Sequence, residues 1–184
     1  SQEEIAALFH AALGEGDIRS SRLLSGGLFN TTYYVEYGPE HRRAVLRLGP
    51  VNRHLLLGHE LNLMAAEVLM CGLCQVAEVP CSRILAWDAS RQHIARDWMI
   101  VEYIPSVVMA EAKLPEDEKS RLRRQVGTYL NRLHQVEGDS FGYLSRIAMG
   151  IRFGSWREAF MFEAEDILTR LEAYRPFPPE VFAA

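Results

Sequence analysis

Apolar and polar positions alternate with a period of two across much of the first hundred residues. The pattern is clearest over residues 29–37, where β-branched and aromatic side chains recur at every second position, as in a half-buried β-strand. Similar patterns predict four further strands, which are Ile18–Leu24, Ala44–Leu48, Arg83–Asp88 and Asp97–Ile104. The last of these is almost entirely apolar and is followed by Pro105, which indicates a central strand that ends at the proline.

Segments with helical spacing of apolar residues lie before and between these strands, and only helical segments follow the last strand. Residues 2–13 carry an apolar stripe that stops at Gly14, a common helix terminator. A second stripe predicts a helix that includes Glu60, and its members are Leu57, Leu61, Met64 and Val68. Residues 115–136 continue the helical pattern, and a capping box at Ser155–Glu158 opens another helix. Trp156 could stack on a substrate, but at that spacing we expect it to lie in the core.

Two charged residues interrupt apolar patterns in this region. Arg47 lies inside the strand Ala44–Leu48, and Glu60 lies beside the second helical stripe. A buried arginine stays charged and needs an anion, and a carboxylate beside an apolar stripe also needs a partner. One interpretation is an Arg47–Glu60 ion pair that spans strand and helix. In the other, Arg47 extends to solvent from a sheet edge and Glu60 lies at the solvent boundary of its helix.

Gly26 and Gly27 separate the first two predicted strands. Glycine permits positive φ and lets another molecule approach the backbone closely. The pair therefore indicates either a loop whose amides face phosphates or an ordinary hairpin turn.

Taken in order, these features resemble the small lobe of the kinase-like fold, and within it the aminoglycoside phosphotransferase family of small-molecule kinases. The similar segments are LSGGLFNTTYYVEY, AVLRLGP, MIVEYIPS and LNRLHQVEGDSFG. The resemblance implies an α+β, protein-kinase-like fold with a five-stranded antiparallel sheet and helices. It also implies a nucleotide-binding N-lobe over residues 1–103, a hinge or linker over 104–114, and the helical start of a C-lobe over 115–184.

The same resemblance implies a set of nucleotide-binding residues. They are Ser25, Gly26, Gly27, Asn30, Arg47, Glu60, Val101, Glu102, Tyr103 and Ile104. The turn residues would cover the phosphates of ATP or GTP, Arg47 would neutralise them in place of the usual lysine, and Glu60 would orient Arg47. Residues 101–104 would read the adenine edge through their backbone groups.

The residues that perform catalysis in such enzymes are missing from the sequence. A kinase-like enzyme needs an Asp base in a His-x-Asp loop, an Asn downstream and a metal-binding Asp. None of the six histidines is followed two positions later by Asp. We therefore expect no catalytic or metal-binding residue in residues 1–184. A protein made of these residues alone should not transfer phosphate. The Mg²⁺ ligands would lie outside this chain.

Composition narrows the choice of partners and location. The net charge of −4 and a pI near 5.9 argue against nucleic-acid binding, and no apolar stretch approaches the ~20 residues of a membrane span. Three cysteines and the absence of a signal-peptide pattern suggest the cytoplasm. The motif Cys71–Cys74 could be a redox pair or half of a zinc site, but it lacks a second ligand pair and fits small buried thiols better.

Two functions from different classes follow. The first is an ATP-dependent phosphotransferase that acts on a hydroxyl of a small molecule, such as an aminoglycoside, another antibiotic, a sugar or an amino alcohol. The alternative is a non-catalytic, kinase-like module that senses nucleotide or mediates an interaction. A His-x-Asp motif encoded after Ala184 would favour the first, and a stop codon would favour the second.

Overall fold

A computed structural model describes residues 1–25, 27 and 29–174 of the protein. Its five strands form one antiparallel sheet in the order β1-β2-β3-β5-β4. The strands are β1 (Ile18–Leu24), β2 (Thr31–Tyr37), β3 (Arg42–Leu48), β4 (Ile84–Asp88) and β5 (Trp98–Glu102). The described α-helices are α1 (Gln2–Leu13), α2 (Leu63–Val76), α3 (Glu116–His134), α4 (Leu144–Ile147) and α5 (Trp156–Tyr174). The predicted α+β class with a five-stranded antiparallel sheet is confirmed.

The main core lies between α1 and one face of the sheet. Phe9 of α1 is fully buried and meets the ring of Tyr37 edge-on, with 5.0 Å between centroids. The sheet contributes alternate residues of its strands to the same cluster, among them Val35, Ala44, Leu46 and Ile100. Gly14 ends α1 in the left-handed conformation, at φ 74°, and its N–H donates to the His10 carbonyl. The predicted helix stop at Gly14 is confirmed.

The chain divides into two compact units. Unit 1 comprises Ser1–Pro50 and Met70–Glu137, and unit 2 comprises Val51–Leu69 together with the chain from Gly138 onward. Unit 1 contains the sheet, α1 and α3, whereas unit 2 contains α4, α5 and two short 3₁₀ turns, Arg53–Leu55 and Gly58–Glu60. The boundaries predicted after residues 103 and 114 stay predictions.

The segment around Glu60 differs from the predicted helix. Glu60 ends the second 3₁₀ turn, and α2 begins only at Leu63. Leu61 is extended and Asn62 has a positive φ of 57°, so the stripe from Leu57 does not lie on one continuous helix. The physical reason is local, because the Glu60 carboxylate accepts the Leu57 N–H at 2.8 Å and closes the turn.

Helix α5 starts as predicted but turns a different face inward. The Glu158 N–H donates to Ser155 Oγ, and the Ser155 N–H donates to the Glu158 carboxylate, which confirms the capping box. Trp156 is 63% exposed, however, while Glu163 is only 8% exposed. The prediction that Trp156 lies in the core is wrong. Glu163 faces inward because the guanidinium of Arg146 binds its carboxylate there.

Candidate functional site

Arg47 lies on the sheet face opposite to the α1 core. On β3 it stands directly across from Thr32 of β2 and Met99 of β5. Residues directly opposite each other in antiparallel strands point to the same side, so the three side chains form one row. The next row of the same face consists of Tyr34, Val45 and Val101. This face therefore sets a half-buried cation beside an apolar floor.

The turn between β1 and β2 adjoins the row of Arg47. Leu24, the last residue of β1, pairs with Thr32, and Thr32 pairs with Arg47. Of the predicted turn residues, Ser25 is exposed and Asn30 is half-buried. The structure therefore brings the described part of the turn to the same end of the sheet as Arg47.

Gly27 is required by the turn itself. A Cβ at this position would lie 2.7 Å from the backbone oxygen of Asn30, closer than any side chain tolerates. Gly26, the other predicted glycine, lies outside the described residues. The hairpin turn itself therefore explains the glycine at position 27. Contact between the turn amides and phosphate stays a prediction.

Arg96, which sequence analysis did not single out, ties together the strand ends beside this turn. Its Nε donates to the Gly49 carbonyl at 2.6 Å, and its Nη2 donates to Thr31 Oγ1 at 2.9 Å and to the Leu48 carbonyl at 3.3 Å. These acceptors are uncharged, and burial lowers the pKa of the guanidinium. Arg96 thus fastens the start of β2 to the end of β3.

Val101 and Glu102, the first half of the predicted hinge, end strand β5. Val101 is 9% exposed. Glu102 is bonded to Arg83 twice: its N–H donates to the Arg83 carbonyl at 2.9 Å, and its carboxylate accepts the Arg83 N–H at 2.8 Å. The carboxylate is thus engaged with the backbone beside β4.

Tyr103 and Ile104, the second half of the predicted hinge, leave the sheet. The ring of Tyr103 meets that of Tyr34 edge-on at 5.0 Å between centroids, and the Arg43 guanidinium lies over it at 5.4 Å. Ile104 is 50% exposed, and its carbonyl accepts the Ser106 hydroxyl at 3.2 Å. In the part of the chain that the structure describes, no hydrogen bond uses the Ile104 N–H.

The acidic residue predicted to orient Arg47 has a local role. Glu60 caps its own turn in unit 2, and an Arg47–Glu60 ion pair stays a prediction. The acid that α2 itself carries is Glu67, the only charged residue among its 14 positions, and it is half-buried. A single charged residue in an apolar helix can be recognised from the sequence. It was overlooked because Glu60 had been placed on the same helix.

Unit 2 contains a buried network of charges that sequence analysis missed. Arg146 binds Glu163 in a fork, with Nε–Oε1 at 2.8 Å and Nη2–Oε2 at 3.0 Å, and its Nη2 also lies 3.0 Å from Asp166 Oδ2. Arg170 binds the same Asp166 oxygen at 3.0 Å. The bond to Glu163 raises the pKa of Arg146. Burial alone would raise the pKa of Asp166, but Arg170 and Arg146 outweigh it and lower that pKa.

This network fixes the segment that leads into α2. The Gly58 N–H donates to Asp166 Oδ2 at 3.2 Å, and Arg170 donates to the Leu56 carbonyl at 3.0 Å. A Cβ on Gly58 would lie 2.0 Å from Arg146 Nη2. The segment can therefore approach the buried guanidinium only because it has a glycine at this point.

The described residues offer neither a metal site nor a membrane-spanning helix. No group of three or more His, Cys, Asp or Glu there could hold a metal ion. Within the same residues, no helix combines the length and apolarity needed to cross a membrane. Cys71, Cys74 and Cys81 form no disulfide with one another, and burial raises the pKa of Cys74.

Comparisons with known proteins agree with this fold. A crystal structure of a candidate aminoglycoside phosphotransferase from Ralstonia eutropha JMP134 superposes with a TM-score of 0.53 at 15% identity, over 74% of this chain. The matched region is 39% of that structure's length, so the chain spans well under half of it. No curated protein sequence matches the chain. The profile of the phosphotransferase enzyme family (APH) matches residues 20–182, and the chain belongs to that family.

Proposed function

We propose that the full-length protein is an ATP-dependent phosphotransferase for a hydroxyl group of a small molecule, and that unit 1 of this chain carries most of its nucleotide site. Membership of the family supports phosphoryl transfer in general. The observation that carries the finer proposal is the row of Thr32, Arg47 and Met99 on the sheet face opposite to the α1 core. The proposed location is the cytoplasm, where free thiols persist.

The chemistry of this row suits a nucleotide. A guanidinium such as that of Arg47 has the planar shape to bind two phosphate oxygens in a fork. Two positions before it, Val45 lies between Tyr34 and Val101, and such apolar side chains suit the flat face of a purine. Phosphates would lie at the turn end of the sheet, and the base would lie toward Val101.

The end of β5 supplies a group that could read the base edge. The Ile104 N–H has no hydrogen-bond partner in the described part of the chain, so it is available to a ring nitrogen of adenine or to the carbonyl of guanine. GTP is therefore kept beside ATP as a donor. Mg²⁺ would be held by residues outside this chain, together with the phosphates.

The acidic residue that would orient Arg47 in the proposed site is either Glu60 or Glu67. Glu60 closes its own 3₁₀ turn through the Leu57 N–H, and Glu67 is the charged residue that helix α2 itself carries. We propose that Glu67 supports nucleotide binding more than Glu60 does. Titration of nucleotide into Glu60→Gln and Glu67→Gln separates them, and a larger loss in Glu60→Gln would restore the first assignment.

A non-catalytic nucleotide-sensing or interaction module remains the second candidate, because no histidine of the sequence begins a His-x-Asp motif. Only the first candidate requires product formation, and the second would bind nucleotide or a partner without transferring phosphate. The natural gene sequence beyond Ala184 distinguishes them.

Nucleotide binding is tested by replacing Arg47. A charge-assisted contact to phosphate contributes about 1.5–3 kcal/mol, so Arg47→Ala should weaken MgATP binding roughly tenfold to a hundredfold. Isothermal titration calorimetry on the protein measures this change. Arg123→Ala is the control, because Arg123 is exposed and pairs with Glu116 on the surface of α3. Equal affinities of the two variants would show that Arg47 does not contact the nucleotide.

A further inference from the structure

Two cysteines meet where the chain leaves helix α2. The helix ends at Val76, and Glu78 has a positive φ of 52° that turns the backbone. The Val79 N–H then donates to the Cys74 carbonyl at 2.8 Å. This hydrogen bond brings the chain back against the last turn of the helix, as at many helix ends. Cys81, which follows two residues later, therefore returns to the neighbourhood of Cys74.

The turn between the two cysteines is held in place from both sides. The Ala77 N–H donates to the Leu73 carbonyl at 2.9 Å, which continues the helical bonding into the turn. Nη1 of Arg132, on helix α3, donates to the Glu78 carbonyl at 3.0 Å. All of these residues belong to unit 1. The path of the chain from Cys74 to Cys81 is thus defined by hydrogen bonds within one unit.

The thiols of Cys74 and Cys81 are in direct contact, since their side chains share a hydrogen bond. The Cys81 thiol donates to the Ser82 carbonyl at 3.6 Å, which leaves the Cys81 sulfur to accept from Cys74. Burial, the charge of Cys81 and this hydrogen bond raise the pKa of Cys74, as expected for the donor of the pair. The thiol that Cys74 contacts is therefore Cys81 and not Cys71, its neighbour in the C-x-x-C motif.

The two thiols differ in their access to solvent. Cys74 is 8% exposed, whereas Cys81 lies on the surface. A dissolved oxidant can therefore reach Cys81 but not Cys74. An accessible cysteine beside a second, resolving thiol is the arrangement found at sites of reversible oxidation. Zinc suits the pair less well, because in the described part of the chain no third His, Cys, Asp or Glu completes a metal site.

We propose that Cys74 and Cys81 form a reversible oxidation site, at which hydrogen peroxide converts the two thiols into an intramolecular disulfide. The Cys81 sulfur attacks one oxygen of the peroxide, which gives a sulfenic acid and one water. The Cys74 sulfur then displaces hydroxide from the Cys81 sulfur, and the Cys74 proton leaves with that hydroxide as a second water. The two thiols lose two electrons, and the peroxide gains them.

The disulfide would tie the end of α2 to the segment that enters β4. Cytoplasmic thiols such as glutathione would reverse it by thiol–disulfide exchange, and disulfides in that compartment are commonly transient and redox-sensing. The proposal is independent of the phosphotransferase function, since none of the residues proposed to bind nucleotide takes part in it.

Peptide mapping of the protein after treatment with hydrogen peroxide tests the proposal. Once the remaining thiols are alkylated, a glutamyl endopeptidase that cleaves after Glu67 and Glu78 separates peptide 68–78, with Cys71 and Cys74, from peptide 79–102, with Cys81. We expect mass spectrometry to find these two peptides joined. We also expect the loss of two of the three thiols and their recovery with dithiothreitol.

Single substitutions identify the pair. Cys71→Ser is the matched control and should leave the link between the peptides intact, whereas Cys74→Ser and Cys81→Ser should each abolish it. If Cys74→Ser does not fold by circular dichroism, Cys81→Ser decides the point, because it changes an exposed residue. Oxidation in concentrated urea is a second control. There the preference for the pair should disappear, and a link between Cys71 and Cys74 within peptide 68–78 should form as well.

The proposal is overturned if peroxide does not join the two peptides in the folded wild type, or if the link persists in Cys74→Ser. A disulfide between Cys71 and Cys74 in the folded protein would also overturn it. So would a disulfide between two copies of the chain, which a non-reducing gel would show as a dimer. Failure of ATP binding in the separate Arg47 experiment would leave the result with peroxide unaffected.

Discussion

Among the described glycines of unit 2, Gly58 has the least room for a side chain. An added Cβ would lie 2.0 Å from Arg146 Nη2 and 2.4 Å from Asp166 Oδ2. Flexible side chains can usually withdraw from such a contact. These two cannot withdraw without breaking the hydrogen bonds that join Arg146 to Glu163 and Asp166.

We therefore expect Gly58→Ala to lower the free energy of unfolding by about 1–3 kcal/mol, as overpacking does. Gly127→Ala is the matched control, because Gly127 lies inside α3 and nothing lies within 4 Å of an added Cβ. That change should instead raise stability by about 0.5–1 kcal/mol through helix propensity. Urea denaturation followed by circular dichroism measures both, and equal effects of the two changes would contradict the account of Gly58.

Arg146 should be the most costly arginine of the described chain to remove. Its side chain is 6% exposed, so Arg146→Ala leaves two carboxylates without their buried partner. Breaking a buried ion pair in this way costs about 3–5 kcal/mol. Arg123→Ala removes a pair whose arginine is 57% exposed and should cost under about 1 kcal/mol. Thermal unfolding of the two variants gives the comparison, and a loss of similar size in both would show that the network is not stabilising.

Sequence analysis identified Arg47 because a charged residue inside an apolar strand pattern needs a partner if it is buried. It missed Arg146 because a four-residue helix is too short to show a period. It placed Glu60 on a helix because apolar residues on both sides happened to keep helical spacing. The hydrogen bond from the Leu57 N–H and the positive φ of Asn62 depend on local geometry that hydrophobic spacing does not encode.

At the scale of elements, periodicity predicted most of the strands and helices. The bounds of β1 and α1 agree with the predicted Ile18–Leu24 and 2–13, since each is delimited by a change of pattern or by a glycine. The prediction that Trp156 of α5 lies in the core was wrong, because it assumed that large apolar side chains at helical spacing point inward. The buried residues of this helix include Ala159 and a charged residue, Glu163, and Glu163 is bound by Arg146, which lies outside the helix.

The contact between α5 and the segment before α2 should weaken in acid. The pKa of Asp166 is lowered in the folded protein, so its stabilising effect is present above the ordinary aspartate value of about 3.9. That effect is lost as the pH falls through the lower, folded value. The wild type should therefore lose more stability between pH 5 and pH 3, as rough bounds, than Asp166→Asn does.

Asp139→Asn controls for a general effect of removing a carboxylate, because Asp139 is exposed. Melting temperatures recorded across this pH range decide the matter. Parallel curves for the wild type and Asp166→Asn would remove Asp166 as the source of the acid sensitivity.

At the scale of the whole molecule, residues 1–184 should bind nucleotide without transferring phosphate. Phosphoryl transfer requires a base for the acceptor hydroxyl and carboxylates for the metal, and the sequence has no His-x-Asp motif. A coupled assay for ADP with purified protein and a panel of hydroxyl-bearing acceptors should show no turnover above the rate without protein. Acceptor-dependent formation of ADP that Arg47→Ala abolishes would refute this prediction.

The bonds that hold the segment before α2 also fix an order of events during synthesis. Gly58 and Leu56 find their partners 108 and 114 residues later in the chain, whereas β1, β2 and β3 pair with their neighbours along a short stretch. Because chains emerge from the ribosome N-terminus first, the β1–β2–β3 meander can form while Asp166 and Arg170 are still being made. Until then, the peptide that leads into α2 lacks these two hydrogen bonds and is held in unit 2 by others, such as the one that Ser145 Oγ donates to the His59 carbonyl. A ribosome that pauses before residue 166 would leave Gly58 and Leu56 without these partners.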